Sequence, residues 1–285
     1  NDLLIMKELA TLEHQALDNW YDIGNRESSS GTFTQFEDAF LVLDKNHQEV
    51  YKVNNRIIKL FTTPTIINVD NTAFPHPYPV MSTDTSLSYE FVEGDVNPYG
   101  DNFTKVWKNL ENLWTYCLTN NSPIVNKQLW QDKTWERFEM MCKADEKYAG
   151  TLEVNEVSID CTRLVENIDW DILNTGILGP CHGDLTMDNI IVNNSNIYYI
   201  DHRAGAVNDI FYDICKFYHS LFLHSVNLNH MVTDGVVVTE ADLTRLTTFR
   251  NSDIYKNNKQ KIELGVGCLW LSMAPLNVDT QLNHQ

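Results

Sequence analysis

Three polar side chains in the C-terminal half of the chain, Asp184, Asn189 and Asp201, have the types and spacing to do chemistry on phosphate. They stand beside two apolar runs, residues 190 to 192 and 197 to 200, whose composition predicts short buried strands. A polar group beside a buried strand costs free energy unless it finds a partner. The pattern therefore indicates a site for a metal ion and phosphate.

The two apolar runs also predict a hairpin. Residues 193 to 196 between them are polar and rich in Asn, which is typical of a tight connection. A hairpin brings its two outer ends together. Asn189 at its entrance and Asp201 at its exit should therefore lie at the same end.

These residue types match the needs of phosphoryl transfer. The reaction requires a carboxylate that orients the attacking hydroxyl and accepts its proton, and oxygen ligands for the Mg²⁺ that bridges the nucleotide phosphates. Asp184 suits the first task, whereas Asn189 and Asp201 suit the second. The alternative is that Asp184 and Asp201 are ordinary turn and cap residues near a hydrogen-bonded core histidine, His182.

The order of these residues resembles a known family. His-Gly-Asp at residues 182 to 184, then Asn189, then a strand ending in Ile-Asp at residues 200 and 201, resembles the catalytic and metal-binding loops of the aminoglycoside phosphotransferase and choline/ethanolamine kinase family. This resemblance implies that Asp184 is the catalytic carboxylate.

Two further segments extend the resemblance. Residues 208 to 216 resemble the start of the family's next helix, which implies that Asp213 anchors the catalytic loop and that His182 braces it. Residues 273 to 279 resemble a Met-x-Pro-Leu-His segment of bacterial members that are often encoded with surface-polysaccharide genes, although Asn277 stands in place of His.

The resemblance implies an α+β, two-lobed protein-kinase-like fold. A small antiparallel β N-lobe with an N-terminal helix would cover residues 1–93 and bind the nucleotide. A mostly helical C-lobe would cover residues 94–285 and hold the catalytic and acceptor-binding residues.

A lysine on a rigid strand is needed to reach the nucleotide phosphates. Residues 39–43, 50–53 and 56–61 predict three successive strands, the last two joined by a compact Asn-Asn turn. Lys59 in the third strand is the first choice for this lysine, and Lys52 in the second strand is the alternative.

The acidic partner of such a lysine is missing from its usual place. No Glu lies between Lys59 and the next predicted strand, so we hypothesise that Glu13 or Glu8 of a predicted helix over residues 3–21 supplies it. In addition, residues 44 to 49 lack the glycine that a phosphate-covering loop normally uses for close backbone approach.

Residues 86 to 94 alternate like an edge strand and stop at a glycine. Their position resembles the hinge that joins the lobes in this family. The backbone of Glu90, Phe91 and Val92 would there form hydrogen bonds with the adenine edge.

Apolar residues recur at helical spacing through the rest of the chain, and we expect their stripes to form the core rather than a ligand site. The predicted helices cover residues 102–118, 127–148, 153–173, 214–226 and 262–273.

Net charge and composition limit the classes of partner that the protein could bind. The 285 residues carry a formal net charge of −18, which disfavours nucleic acid and anionic membranes and favours a cationic small molecule. The six cysteines form no Cys-x-x-Cys pair, and the sequence contains neither an apolar run long enough to span a membrane nor a signal-peptide pattern. We therefore expect reduced thiols and a cytoplasmic protein.

Together these observations predict a small-molecule kinase that phosphorylates a hydroxyl, with ATP or GTP and Mg²⁺ as cofactors. The acceptor is either a choline- or ethanolamine-like amino alcohol or a sugar. The oligomeric state is left open. Four residues are candidates to surround a cationic acceptor: Asp209, Tyr218, His219 and Trp270.

Two functions of other classes remain open from the sequence. In the first, the protein binds a nucleotide or a partner without turnover, as a pseudokinase does, because the glycine loop and the Glu are missing. In the second, four residues form a hydrolytic metal centre. These would be His182, Asp184, Asp201 and His202.

Overall fold

The computed structural model describes residues 39–45, 48–64, 73–154, 156–203, 208–225 and 240–282. The chain divides into two compact units. The first contains the described residues up to Asp95 and those within Ile191–Ala204, and the second contains the rest. The sequence interpretation divided the chain after residue 93 and left residues 191 to 204 in the C-lobe, whereas the structure groups this segment with the N-terminal strands.

The first unit is built on a five-stranded antiparallel sheet in the order β1-β2-β3-β5-β4. Its strands are β1 Ala39–Lys45, β2 Gln48–Val53, β3 Arg56–Phe61, β4 Pro79–Ser82 and β5 Ser86–Glu90. The predicted compact turn between β2 and β3 is confirmed. Asn54 adopts a φ of 52° in this turn, a conformation that Asn tolerates better than most residues.

One face of this sheet carries a hydrophobic cluster of Val50, Ile57, Leu87 and Tyr89. The register pairs Lys59 with Val50 on one side and with Leu87 on the other. Because directly paired residues point to the same face of a sheet, the Lys59 side chain emerges among these apolar residues. Lys59 is consequently only 3% exposed.

The remaining strands are short. They are β6 Asp95–Val96, β7 Pro123–Val125, β8 Thr151–Val154, β9 Val157–Asp160, β10 Thr175–Ile177, β11 Ile190–Asn193 and β12 Asn196–Tyr199. The predicted hairpin is confirmed, because β11 and β12 are hydrogen-bonded neighbours. Asn194 in its two-residue turn has a φ of 52°, as such a turn requires.

The second unit is mostly helical, as predicted. Its helices are α1 Gly100–Asn120, α2 Lys133–Ala144, α3 Cys161–Glu166, α4 Trp170–Asn174, α5 Ile210–Ser225, α6 Glu240–Asn251 and α7 Asp253–Leu282. The predicted apolar stripe of α1 is confirmed as core. Its buried members are Phe103, Val106, Trp107, Leu110, Trp114 and Cys117.

The prediction of a helix over residues 153 to 173 is wrong in its first half. There, β8 and β9 form an antiparallel pair whose turn holds Glu156 at a φ of 66°. Helical structure begins only at α3, where the Asp160 side chain accepts a hydrogen bond from the Arg163 backbone N–H. The alternating residues of β8 and β9 favoured strand pairing over the weak helical stripe.

Three further predictions concern the N-terminal helix, the cysteines and membrane-spanning segments. The predicted helix over residues 3–21 lies outside the described residues. All six cysteines are free, and four of them are buried, as expected for core thiols. Among the helices that the structure describes, none is long and apolar enough to cross a membrane.

Two glycines provide a test of the packing. A Cβ added at Gly176 on β10 would lie 2.3 Å from the buried Asp209 carboxylate, whereas a Cβ at Gly267 on α7 would have no neighbour within 4 Å. We expect Gly176→Ala to lower the free energy of unfolding by about 1–3 kcal/mol through overpacking. Gly267→Ala should raise it by about 0.5–1 kcal/mol because Ala favours a helix. Urea unfolding measures both, and equal effects of the two substitutions would contradict this packing.

Candidate active site

The loop that carries Asp184 is held by a buried carboxylate. Asp213 on α5 is fully buried, and its two oxygens accept hydrogen bonds from the backbone N–H groups of His182, at 2.5 Å, and Gly183, at 2.9 Å. Gly183 has a φ of 82°, which favours glycine. Asp213 therefore fixes the backbone one residue before Asp184.

Burial raises the pKa of the Asp213 carboxyl to about 7. The two N–H donors and the charge of Lys216 limit this rise. Since an ionised carboxylate accepts from both amides at once, the loop is held best when Asp213 carries its charge.

His182 braces the loop from within. The Asp184 backbone N–H donates to His182 Nδ1 at 3.2 Å, and the imidazole itself is fully buried. The Asp184 carbonyl oxygen accepts from the Thr186 N–H at 2.9 Å and from Asn189 Nδ2 at 2.8 Å. The backbone of Asp184 is thus hydrogen-bonded on both sides while its carboxylate stays 23% exposed.

Asn189 is oriented by the same contact. Because its Nδ2 donates to the Asp184 carbonyl, the amide oxygen Oδ1 is left as the atom that can coordinate a cation. The bond joins the metal-ligand candidate to the catalytic loop directly.

Lys216 is a functional candidate that the sequence analysis did not single out. Its Nζ lies 2.8 Å from Asp184 Oδ1, and the lysine side chain is 13% exposed. Lys216 follows Asp213 by one helical turn on α5, so both project toward the loop. This i, i+3 spacing was the signal in the sequence, although spacing alone does not show which loop the helix faces.

In the first unit, Lys59 forms an ion pair with Asp201 Oδ1. Asp201 follows β12 and has a φ of 63°, so its backbone is held in the left-handed region. Burial by itself lowers the pKa of the Lys59 ammonium, but Tyr89 and Asp201 outweigh burial and raise it above its ordinary value. Lys59 therefore remains protonated in its apolar surroundings.

The alternative lysine has a different environment. Lys52 Nζ lies 3.7 Å above the ring of Phe91, as in a cation–π contact. Of the two lysines, Lys59 is the one that the structure brings to Asp201. Glu8 and Glu13, proposed as acidic partners of Lys59, lie outside the described residues.

The three hinge candidates differ in their hydrogen bonds. The Phe91 N–H donates to the Asn55 carbonyl at 2.8 Å, and the Glu90 N–H points to the Tyr78 carbonyl at 3.5 Å. Within the described part of the chain, the Val92 N–H has no backbone partner. Val92 is therefore the member of the three whose N–H can serve a ligand.

Two of the four proposed acceptor residues serve the core instead. Tyr218 is 1% exposed and stacks on Phe249 at 4.6 Å. Asp209 is fully buried and accepts from Trp130 Nε1 at 3.2 Å and from two backbone N–H groups. The remaining two candidates, His219 and Trp270, contact each other.

The hydrolytic alternative requires a cluster of metal-binding side chains. Across the described ranges, no group of three or more His, Cys, Asp or Glu residues could hold a metal ion. Of the proposed ligands, His182 uses its Nδ1 to accept from the loop backbone.

Comparison with solved structures defines the class of fold. A choline/ethanolamine kinase family protein from Mesorhizobium loti aligns with a TM-score of 0.51 and 10% identity over 91% of this chain and 87% of that one. A complex of APH(2")-IIia with GDP and kanamycin aligns with a TM-score of 0.51 and 14% identity over 90% of this chain and 93% of the other. No protein-family model and no curated protein matches the chain. The predicted α+β protein-kinase-like fold, and the resemblance to these kinases in fold, are confirmed.

Because Lys59 and Asp201 form an ion pair, we expect substitutions of the two residues to have coupled effects on the free energy of unfolding. Asp201→Asn keeps a residue that tolerates positive φ but leaves the buried ammonium without its counter-charge. Since Asp201 is 41% exposed, we expect a loss of about 1–2 kcal/mol in the free energy of unfolding, less than for a fully buried pair. Adding Lys59→Met should restore stability by removing the buried charge. Urea unfolding of both single variants and the double variant measures the coupling, and additive effects would refute it.

Proposed function

We propose that the protein is a phosphotransferase that moves the terminal phosphate of ATP or GTP to a hydroxyl of a small molecule. One observation carries this proposal: Asp213 and His182 hold the Asp184 loop so that its carboxylate meets Lys216 at the loop surface. A turn or cap carboxylate does not need such an anchored loop beneath it. The kinase-like fold supports the same conclusion.

Asp184 would orient the acceptor hydroxyl and accept its proton as the phosphoryl group is transferred. The transition state of such a reaction is loose, so positioning and electrostatics contribute more than base strength. Lys216 would hold the carboxylate in its rotamer through their ion pair. His182 acts on the reaction only through the loop that it braces.

The nucleotide would be bound by the residues that the sequence singled out. Lys59 would bind its phosphates, and the backbone at Glu90, Phe91 and Val92 would receive the base, with the Val92 N–H as the donor. The Asp201 carboxylate and Asn189 Oδ1 are the hard oxygen ligands that Mg²⁺ prefers, so these residues fit that ion. When bound, Mg²⁺ would neutralise charge on the phosphates.

The nucleotide site is tested by thermal unfolding with ATP, GTP and ADP, each with and without Mg²⁺. At 100 times its Kd, a bound nucleotide should stabilise the wild type by about 2.7 kcal/mol and raise the Tm by several degrees. Lys59→Met and Asp201→Asn should abolish the Mg²⁺-dependent part of the rise. Lys52→Met is the matched control and should retain it.

Two outcomes of that experiment would change the assignment. If the Mg²⁺-dependent rise in Tm is lost in Lys52→Met but retained in Lys59→Met, the phosphate-binding role would be assigned to Lys52. No shift of the wild type with any nucleotide would contradict the proposed function, whereas a shift without turnover on any acceptor would favour the pseudokinase alternative.

The catalytic carboxylate is tested by Asp184→Asn. This substitution removes the proton acceptor while keeping the size of the side chain, so turnover should fall at least about 100-fold with nucleotide affinity unchanged. Asp188→Asn, which alters an exposed carboxylate of the same loop, should stay near the wild-type rate. A coupled assay of ADP release measures the rates once an acceptor is found. Equal rates for wild type and Asp184→Asn would remove Asp184 from the chemistry.

A further inference from the structure

Beside the Asp184–Lys216 pair lies a buried histidine, His219, on the same helix. His219 follows Lys216 by three residues on α5 and is 1% exposed. Neither of its ring nitrogens has a hydrogen-bond partner among the described residues. Buried polar groups are nearly always satisfied in folded proteins, so an imidazole with two unsatisfied nitrogens points to a missing ligand or water.

The charge state of His219 defines what it can bind. Burial and the neighbouring Lys216 charge lower its pKa to about 4, although Asp184 acts in the opposite direction. The imidazole is therefore neutral near pH 7, with one N–H donor and one nitrogen acceptor. A hydroxyl group, which both donates and accepts, complements this pair, whereas a primary ammonium only donates and a quaternary ammonium does neither.

Trp270 on α7 covers the histidine from one side. Its ring centroid lies 4.5 Å from that of His219 at an interplanar angle of 62°, and the residue is 38% exposed. An indole that is partly buried against a polar ring and partly open to solvent offers an apolar surface at the edge of the cluster. The carbon–hydrogen face of a sugar ring would fit such a surface.

The local charge opposes a cationic acceptor. Lys216 already provides the positive charge that lies 2.8 Å from Asp184. Because Lys216 already neutralises this carboxylate, a second cation bound here would gain little net electrostatic attraction. The net charge of −18 attracts cations at longer distances but does not determine which group fits beside a lysine.

We infer that Lys216, His219 and Trp270 form the acceptor subsite next to Asp184, and that the acceptor is an uncharged polyhydroxyl compound of the hexose class. This inference rests on the proposed function, because it names the substrate of the same site. Lys216 and His219 would hold ring hydroxyls, Trp270 would contact the sugar face, and one further hydroxyl would reach Asp184.

Equilibrium binding tests this subsite without turnover. Ligand-observed NMR titrations would compare D-glucose, D-galactose and N-acetyl-D-glucosamine with choline, ethanolamine and kanamycin, in the presence of Mg²⁺ and a non-hydrolysable ATP analogue. We expect at least one neutral sugar to bind about tenfold more tightly than any of the three cations. His219→Phe, which keeps the volume but removes both nitrogens, and Trp270→Ala should each weaken sugar binding about tenfold. Tyr116→Ala removes a solvent-exposed aromatic side chain on α1 as a matched control and should not change it.

Three results would overturn the inference. The first is tighter binding of any cation than of all the sugars, and the second is binding of none of the six compounds at 20 mM. The third is unchanged sugar binding in both His219→Phe and Trp270→Ala, which would make His219 a purely structural residue. The proposed function is judged separately by the Mg²⁺-dependent nucleotide shift, so tight choline binding together with that shift would reject only the acceptor assignment.

Discussion

The arrangement of the proposed catalytic residues depends on one buried carboxylate that accepts hydrogen bonds from two backbone amides. Asp213 bonds the N–H groups of His182 and Gly183, and through them it sets the direction in which the chain presents Asp184. A fully buried charge of this kind is costly, and its retention is explained by the loop that it organises. The same helix turn delivers Lys216 to the Asp184 carboxylate, so one segment supplies both the anchor and the counter-charge.

A second buried charge has a comparable role in the strand unit. Lys59 stands among Val50, Leu87 and Tyr89 and is kept protonated by Asp201. The apolar surroundings and the ion pair restrict the position of the ammonium, as the proposed phosphate-binding role would require. In both units the polar residues thus rest on apolar packing that restricts their motion, as preorganised electrostatic stabilisation requires.

The proposed acceptor subsite differs from these two sites in how its polar atoms are satisfied. Asp209 and Tyr218, which the sequence suggested as ligand-binding groups, are buried and make their contacts within the core. Among the residues that the structure describes, His219 has no hydrogen-bond partner for either ring nitrogen. A fully satisfied polar group adds to stability, but an unsatisfied buried one is retained at a cost. Whether a buried polar group has hydrogen-bond partners therefore distinguishes core residues from candidate binding residues better than residue type does.

The sequence by itself determined the elements with strong local signals. The Asn-Asn turn, the β11–β12 hairpin, the apolar stripe of α1 and the His-Gly-Asp loop all follow from periodicity, turn chemistry and ordered spacing, which act over a few residues. The predicted helix over residues 153 to 173 failed in its first half because strand pairing overrode a weak helical stripe.

Only the tertiary structure decided which distant residues meet. Asp201 pairs with Lys59 rather than Lys52, Lys216 contacts Asp184, and His219 contacts Trp270 without a hydrogen-bond partner among the described residues. These pairings depend on which face of a strand or helix packs against which loop. Local sequence does not encode that choice, because it is made by burial and register over the whole unit.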